Sequence, residues 1–160
     1  EEDDFIDKDL SMRDYLNEII SSFKEISKKK FVFNYDQDSN SKKITKSIEI
    51  VYGLRNFIGN ANKFSKDTIY INLQSDNEFT KITIEDNGNG FSRDILSKIG
   101  EPYLQSNNLE EKSKVGLGLG MFIGKTLLEK NFASINCRNS QTRTGAEIII
   151  RWKNNDLFNI

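Results

Sequence analysis

Three polar side chains are spaced so that a helix would place them on one face. At 100° per residue, Asn56, Asn60 and Lys63 fall within about 60° of one another. Amide oxygens suit a hard cation such as Mg²⁺, and a lysine ammonium suits phosphate oxygens. A solvated helix face carries the same residue types, so that plainer interpretation stays open on this segment alone. The apolar residues of the same helix lie on its opposite side and are Val51, Leu54, Ile58 and Ala61.

A carboxylate and two glycines follow a predicted strand in the run Asp86-Asn87-Gly88-Asn89-Gly90. Gly88 and Gly90 permit backbone angles that other residues rarely adopt. A carboxylate held in such a turn could accept a hydrogen bond from the exocyclic amine of adenine. An EF-hand calcium loop is excluded, because position 12 counted from Asp86 is Ser97 and not the required glutamate. A plain tight turn remains an equal alternative on this motif alone.

A second glycine-rich run, Gly116-Leu117-Gly118-Leu119-Gly120, leads into a predicted helix. Glycines let a backbone approach a phosphate, and a helix N-terminus supplies N–H donors and the positive end of a dipole. A flexible hinge would look the same and is compatible with phosphate binding. Two better-known phosphate motifs are excluded: the Rossmann pattern by Met121 and Ile123, and the P-loop pattern by Leu119. Lys125 is then predicted to be a surface lysine inside the helix.

The segments around these motifs have the periods of regular structure. Helices are predicted over 9–29, where the apolar stripe includes Ile26, over 47–64 and 92–99, and from Leu119 onward. Strands are predicted over 31–35, 69–74, 81–85, 133–138 and 146–152, with Ile148, Ile150 and Trp152 inward. Residues 36–46 and 104–115 are polar loops, and we expect the second to be mobile. These elements predict an α+β two-layer sandwich, in which helices cover one face of a mixed, mostly antiparallel sheet.

Composition narrows the class of protein. The chain has 160 residues, with 23 Lys and Arg against 24 Asp and Glu, a balance that argues against broad nucleic-acid binding. Cys137 is the only cysteine, so no internal disulfide forms, and the absence of histidine excludes a histidine base or phosphoacceptor here. No apolar run approaches the roughly 20 residues that span a bilayer. We expect a single domain over 1–160, cytoplasmic and without membrane contact, which could be a fragment of a larger, membrane-anchored protein.

The order and spacing of the three motifs resemble the catalytic ATP-binding domain of sensor histidine kinases over about residues 9–152. Residues 54–64 resemble the asparagine box of this family, 86–91 its first glycine box and 116–120 its second. A closer resemblance is to the RegB/PrrB type of redox-responsive kinase. It is carried by residues 53–56, 99–103, 118–129 and 145–147 and by Arg151-Trp152.

The resemblance implies the Bergerat fold of gyrase-type and chaperone ATPases, with ATP and Mg²⁺ as cofactors. It implies that Asn60 ligates Mg²⁺, and that Asn56 and Lys63 are catalytic groups that support the metal and contact phosphate. Asp86 would read the adenine amine. Phe64 would line the nucleotide pocket, and Gly88 and Gly90 would shape its adenine end. The second glycine motif would admit the phosphates under a lid at 104–115, through Gly116, Gly118, Leu119 and Gly120.

The resemblance also implies a reaction. Related ATPases have a glutamate base where Asn56 lies, and an amide cannot deprotonate water, so phosphoryl transfer is favoured over hydrolysis. The γ-phosphate would pass to a histidine on a phosphoacceptor domain of the same parent protein and then to a response regulator. Departures from the family are Pro102-Tyr103 in the phenylalanine box and Ala146 where threonine is common. The alternatives are a serine/threonine kinase of the anti-sigma-factor type and a non-catalytic nucleotide-binding module.

Overall fold

The structure is a computed structural model, and it describes residues 10–36, 43–44, 47–99 and 118–158. The predicted loop over 104–115, Gly116 and the Pro102-Tyr103 pair lie outside these residues. The expectation of a single domain over 1–160 stays a prediction. Among the helices that the structure describes, none is long and apolar enough to cross a membrane.

Seven strands and five helices are described. In chain order they are β1 (Leu10–Ser11), α1 (Met12–Ile26), β2 (Lys30–Tyr35), β3 (Lys43–Ile44), α2 (Ile48–Phe64), β4 (Thr68–Ser75), β5 (Phe79–Asp86), α3 (Arg93–Ile99), α4 (Gly118–Lys130), β6 (Ser134–Asn139), β7 (Ala146–Lys153) and α5 (Asn154–Leu157). Serines begin the two longest helices, because Ser11 Oγ accepts from Asp14 N at 3.2 Å and Ser47 Oγ from Ile50 N at 3.4 Å.

The main sheet has the strand order β2-β4-β5-β7-β6. The pair β2–β4 is parallel, with α2 in the crossover between the two strands, and the other three pairs are antiparallel. The predicted hairpin between β4 and β5 is confirmed, and Asp76 N donates to Phe79 O at 2.9 Å across its turn. The predicted mixed, mostly antiparallel sheet is therefore confirmed.

The core lies between this sheet and the helices. Ile71, Ile84 and Ile148 are register partners on β4, β5 and β7 and share the face that the helices cover. The predicted inward alternation of Ile148, Ile150 and Trp152 is confirmed, with at most 3% of each side chain exposed. On α2, Leu54, Ile58 and Ala61 are buried as predicted, Phe57 joins them, and Val51 is only half-buried. Each large apolar side chain removed from water in this way contributes about 1.5–3 kcal/mol.

The structure differs from the predicted elements at the N-terminal side. The helix predicted over 9–29 is shorter and spans Met12–Ile26. Leu10–Ser11, which the prediction placed in the helix, is instead a strand paired with Lys43–Ile44, and these two partner residues lie within the predicted loop 36–46. Ile44 is buried there, whereas Ile26, predicted to lie in the apolar stripe of the helix, is 81% exposed. Two-residue strands carry no measurable period, so the sequence offered no signal for this pairing.

Lys125 is a second difference. Its side chain is only 16% exposed, and its Nζ donates to the carbonyl of Ile99 at 3.0 Å and lies 3.5 Å from Glu129. The lysine predicted to be a surface residue therefore ties α4 to the end of α3.

Candidate nucleotide-binding site

A cavity of about 220 Å³ opens between α2, the end of β5, α3 and α4. Its walls are mainly apolar, with a few polar groups, as in most small-molecule sites. Four of the predicted site residues line it, namely Asn60, Phe64, Asp86 and Gly90. The other lining residues are Ala61, Ile84, Asn89, Phe91, Ile95, Met121, Ala146 and Ile148.

Asp86 ends β5 at the edge of this cavity, and only 4% of it is exposed. Its Oδ1 accepts from the N–H of Gly88 at 2.8 Å and from that of Ala146 at 3.4 Å. Its Oδ2 has no partner among the residues that the structure describes. Burial raises the pKa of this carboxyl, opposed by the two backbone hydrogen bonds and the charge of Lys29. A desolvated oxygen of this kind favours any ligand that brings a hydrogen-bond donor.

The turn after Asp86 needs both of its glycines. Gly90 has φ +76°, in the left-handed region. A Cβ atom at Gly88 would lie 2.1 Å from the carbonyl oxygen of Phe64, so this turn rests directly on the C-terminal end of α2. The first glycine motif and the asparagine motif, far apart in sequence, therefore meet at one edge of the cavity.

Asn56 and Asn60 lie one turn apart on α2, on the same face. Asn56 Nδ2 donates to the carbonyl of Tyr52 at 2.9 Å, and Asn60 Nδ2 donates to the sulfur of Met121 at 3.3 Å. Neither Oδ1 has a partner among the described residues. In both side chains the amide N–H group is engaged by the protein, so of the two polar groups the oxygen is the one available to a ligand.

Helix α4 packs against the polar face of α2 that carries Asn56 and Asn60, a face that periodicity alone would place in solvent. It begins at Gly118, one residue before the predicted start, so Gly118, Leu119 and Gly120 form its first turn. A Cβ atom at Gly120 would lie 3.0 Å from Asn56 Oδ1, which places the second glycine motif beside the asparagines. The first N–H groups of a helix lack partners within that helix, so this end offers donors beside the two amide oxygens.

Lys63 lies at the rim and does not line the cavity. It is exposed, and its Nζ is 5.2 Å from the ring centroid of Phe64, itself 42% exposed. The described residues contain no cluster of three His, Cys, Asp or Glu side chains that could hold a metal ion. A donor set of two amide oxygens still fits Mg²⁺, which keeps several waters and takes other ligands from phosphates.

Two residues important for the geometry had no assigned role in the sequence analysis. Asn139 Oδ1 accepts from the N–H of Phe91 at 2.6 Å, and its Nδ2 donates to the carbonyl of Phe91 at 2.9 Å, so it fixes the far end of the turn. Gly145, directly before β7, faces Asp86, and a Cβ atom there would lie 2.3 Å from Asp86 Oδ1. The glycine directly before a strand was visible in the sequence, but nothing local to Asn139 indicates its partner.

The sequence and the fold are both similar to those of known proteins. The sequence model of the family described as histidine kinase-, DNA gyrase B- and HSP90-like ATPase matches residues 45–156. The sensor histidine kinase RegB of Cereibacter sphaeroides is 34% identical over 108 residues, 64% of this chain and 23% of RegB. The sensor protein SrrB of Staphylococcus aureus is 28% identical over 125 residues, 77% of this chain and 20% of SrrB. The chain thus spans about a quarter or less of these relatives.

Solved structures show the same fold at low identity. The catalytic domain of histidine kinase ThkA superposes with a TM-score of 0.70 at 17% identity, over 91% of this chain and 95% of that one. The mycobacterial sensor histidine kinase MprB gives a TM-score of 0.68 at 17% identity, over 92% and 97%. The predicted Bergerat fold is confirmed. The chain belongs to the histidine kinase-, DNA gyrase B- and HSP90-like ATPase family and is an ATP-binding domain of its histidine kinase branch.

Proposed function

We propose that this domain binds ATP with Mg²⁺ and presents the γ-phosphate to a histidine on a phosphoacceptor domain of its parent protein, which then passes it to a response regulator. The observation that carries the proposal is that Asp86 and Asn60 line one cavity, each with a side-chain oxygen that has no partner among the residues the structure describes. One group suits a base amine and the other suits a metal, and both face the same small volume.

Asp86 is the adenine-reading residue in this proposal. Its Oδ2 accepts a hydrogen bond from the exocyclic amine, while Ile84, Met121 and Ile148 surround the apolar faces of the base. Guanine presents a carbonyl oxygen at the same position of its ring. Two acceptors would then face each other in a desolvated site, so the carboxylate selects ATP over GTP.

Asn60 holds the metal, and Asn56 supports the metal and phosphate site from the preceding turn of α2. Lys63 at the rim and the N–H groups at the start of α4, including those of Gly118, Leu119 and Gly120, contact phosphate oxygens. When bound, Mg²⁺ supplies charge neutralisation on the phosphate oxygens. The contribution of Gly116 stays a prediction. Phe64 lines the nucleotide pocket, and Gly88 and Gly90 let the turn after Asp86 approach the adenine.

Transfer is favoured over hydrolysis because Asn56 cannot take a proton from water. Asp86 is the only carboxylate among the described residues that line the cavity, and it lies at the adenine end. An imidazole nitrogen attacks with its own lone pair. A bond from that nitrogen to the γ-phosphorus forms, the bond to the bridging oxygen breaks, ADP leaves, and the imidazole proton is released to solvent. Positioning therefore supplies most of the catalysis.

Incubation with γ-labelled ATP and the phosphoacceptor domain of the parent protein tests the proposal. We expect label on that domain that is labile in acid and stable in alkali, and that disappears when its histidine is replaced. Acid-stable label would instead indicate a serine/threonine kinase. Nucleotide binding without any transfer would indicate the non-catalytic module. Asp86→Asn is the control for site dependence, because transfer that survives it at limiting ATP does not use this cavity.

A further inference from the structure

The segment 65–67 connects α2 to β4 and is held by the side chain of Asn87. Asn87 Oδ1 accepts from three successive backbone N–H groups, those of Lys66, Asp67 and Thr68, each at 3.1 Å. Its Nδ2 donates to Asp67 Oδ1 at 2.6 Å. The α2–β4 connection is irregular, so its backbone N–H groups have no helix or sheet partners. The side-chain amide of Asn87 supplies the acceptor for them.

Lys29 holds the same connection from the other side. Its Nζ donates to the carbonyl oxygen of Ser65 at 2.8 Å and to that of Asn62 at the end of α2. The Ser65 carbonyl is thus bound by an ammonium, and the Asp67 carbonyl accepts from the N–H of Lys30 at 2.8 Å. The N–H groups that follow Ser65 are bound by the Asn87 amide. With both sets of backbone groups engaged, the connection has little freedom to shift relative to the turn that carries Asn87.

This connection joins the two halves of the nucleotide site. Asn87 directly follows Asp86, and Phe64 directly precedes the connection. Asn87 does not line the adenine cavity, so it is placed to act through its neighbours. Because the turn at Gly88 already touches the Phe64 carbonyl, a change in the Asn87 hydrogen bonds alters the spacing between Asp86 and the end of α2.

We propose that Asn87 is a positioning residue for nucleotide binding, which sets the distance between the base-reading carboxylate and the end of α2. The inference rests on the proposed function in one respect, the reading of adenine by Asp86. The three N–H groups lie near the surface and can turn to water when the amide is removed. The fold therefore tolerates the change, while the spacing of the site does not.

Asn87→Ala with Asn154→Ala as a matched control tests this role. The side-chain amide of Asn154 also both accepts and donates, at the other end of β5. Its Oδ1 accepts from Thr80 Oγ1 at 2.7 Å, and its Nδ2 donates to the carbonyl of Asp76 at 2.8 Å. Calorimetry with ATP should show about tenfold weaker binding in Asn87→Ala, and a change within about twofold in Asn154→Ala. Equal effects of the two variants, or wild-type affinity in Asn87→Ala, would overturn the positioning role.

A charge swap distinguishes positioning from a general loss of stability. Asn87→Asp places two carboxylates where an amide and a carboxylate now hydrogen-bond, and we expect it to weaken ATP binding by about tenfold. Adding Asp67→Asn restores the pair with its roles exchanged, and affinity should return to within about threefold of wild type. A double variant no tighter than Asn87→Asp would overturn the inference. This comparison decides the matter even if Asn87→Ala is unfolded.

Failure of the proposed function has a different signature in the same assay. Equal affinity of the wild-type chain for ATP and GTP would remove the adenine-reading role of Asp86, on which the inference rests. Selective ATP binding that no Asn87 variant weakens would leave the proposed function intact and overturn the inference alone.

Discussion

Gly145 on the approach to β7 lies so close to Asp86 that a Cβ atom there would be 2.0 Å from the Asp86 carbonyl oxygen and 2.3 Å from its Oδ1. We expect Gly145→Ala to displace the carboxylate, with a loss of about 1–3 kcal/mol in the free energy of unfolding and weaker ATP binding. Denaturant unfolding and calorimetry measure the two effects.

Gly59→Ala is the control for that substitution. Its Cβ would lie 3.4 Å from the ring of Phe23, an ordinary contact, and its position is inside α2. Alanine should therefore raise the free energy of unfolding by up to about 1 kcal/mol. If Gly145→Ala binds ATP as tightly as Gly59→Ala does, the close approach does not set the position of Asp86.

Asp86→Asn should weaken ATP binding strongly while the domain stays folded. A hydrogen bond to a charged group contributes about 1.5–3 kcal/mol, which corresponds to about 10- to 150-fold in the dissociation constant. The asparagine oxygen can still accept from Gly88 and Ala146, so the turn keeps its hydrogen bonds. Calorimetry with ATP and circular dichroism of the same samples check the two halves of this prediction.

The same variant should change the pH dependence of stability. Burial raises the pKa of Asp86 above its ordinary value of 3.8, so between these two values the native state binds more protons than the unfolded state. The stabilisation due to this group is complete below 3.8 and is lost as pH rises through the folded pKa. Asp86→Asn should remove this loss of stability with rising pH. The affinity of the wild type for ATP should drop as the pH is lowered through the folded pKa of Asp86. Parallel stability curves for the two proteins would contradict this linkage.

Asn60→Ala should impair phosphoryl transfer more than nucleotide binding. A lost metal ligand costs most where charge develops, so we expect transfer to fall by about 100-fold, and ATP affinity by a few-fold. Asn60→Asp, which keeps an oxygen at this position, should retain the dependence on Mg²⁺. The rate of label transfer at limiting magnesium is the measurement, and an unchanged rate in Asn60→Ala would show that Asn60 is not a ligand.

Lys29→Met should destabilise the end of α2, because it removes the donors to the carbonyls of Asn62 and Ser65. We expect a loss of about 1–3 kcal/mol in the free energy of unfolding. The charge of Lys29 lowers the pKa of Asp86, so the acid limb of ATP binding should also move to higher pH. The neighbouring, exposed Lys28→Met is the control, and equal melting temperatures for the two variants would exclude the capping role.

Much of this domain was readable in the sequence because its signals are local. Alternation in β4, β5 and β7 predicts strands with one buried face, since each strand has to bury only its own apolar side. The helical period of α2 places Asn56 and Asn60 together without any knowledge of the fold. The order of three short motifs predicted the family, and the candidate residues Asn60, Phe64, Asp86 and Gly90 line one cavity.

Tertiary structure alone decided how those motifs meet. The pairing of Leu10–Ser11 with Lys43–Ile44, the bond from Lys125 to Ile99, and the clamp of Asn139 on Phe91 each join residues distant in sequence. The sequence tells which side chains can donate a hydrogen bond, but it does not tell which backbone group each of them will bind. That choice depends on which loops the packed sheet and helices bring within about 3 Å, and it places the Asp86 carboxylate at the edge of the cavity.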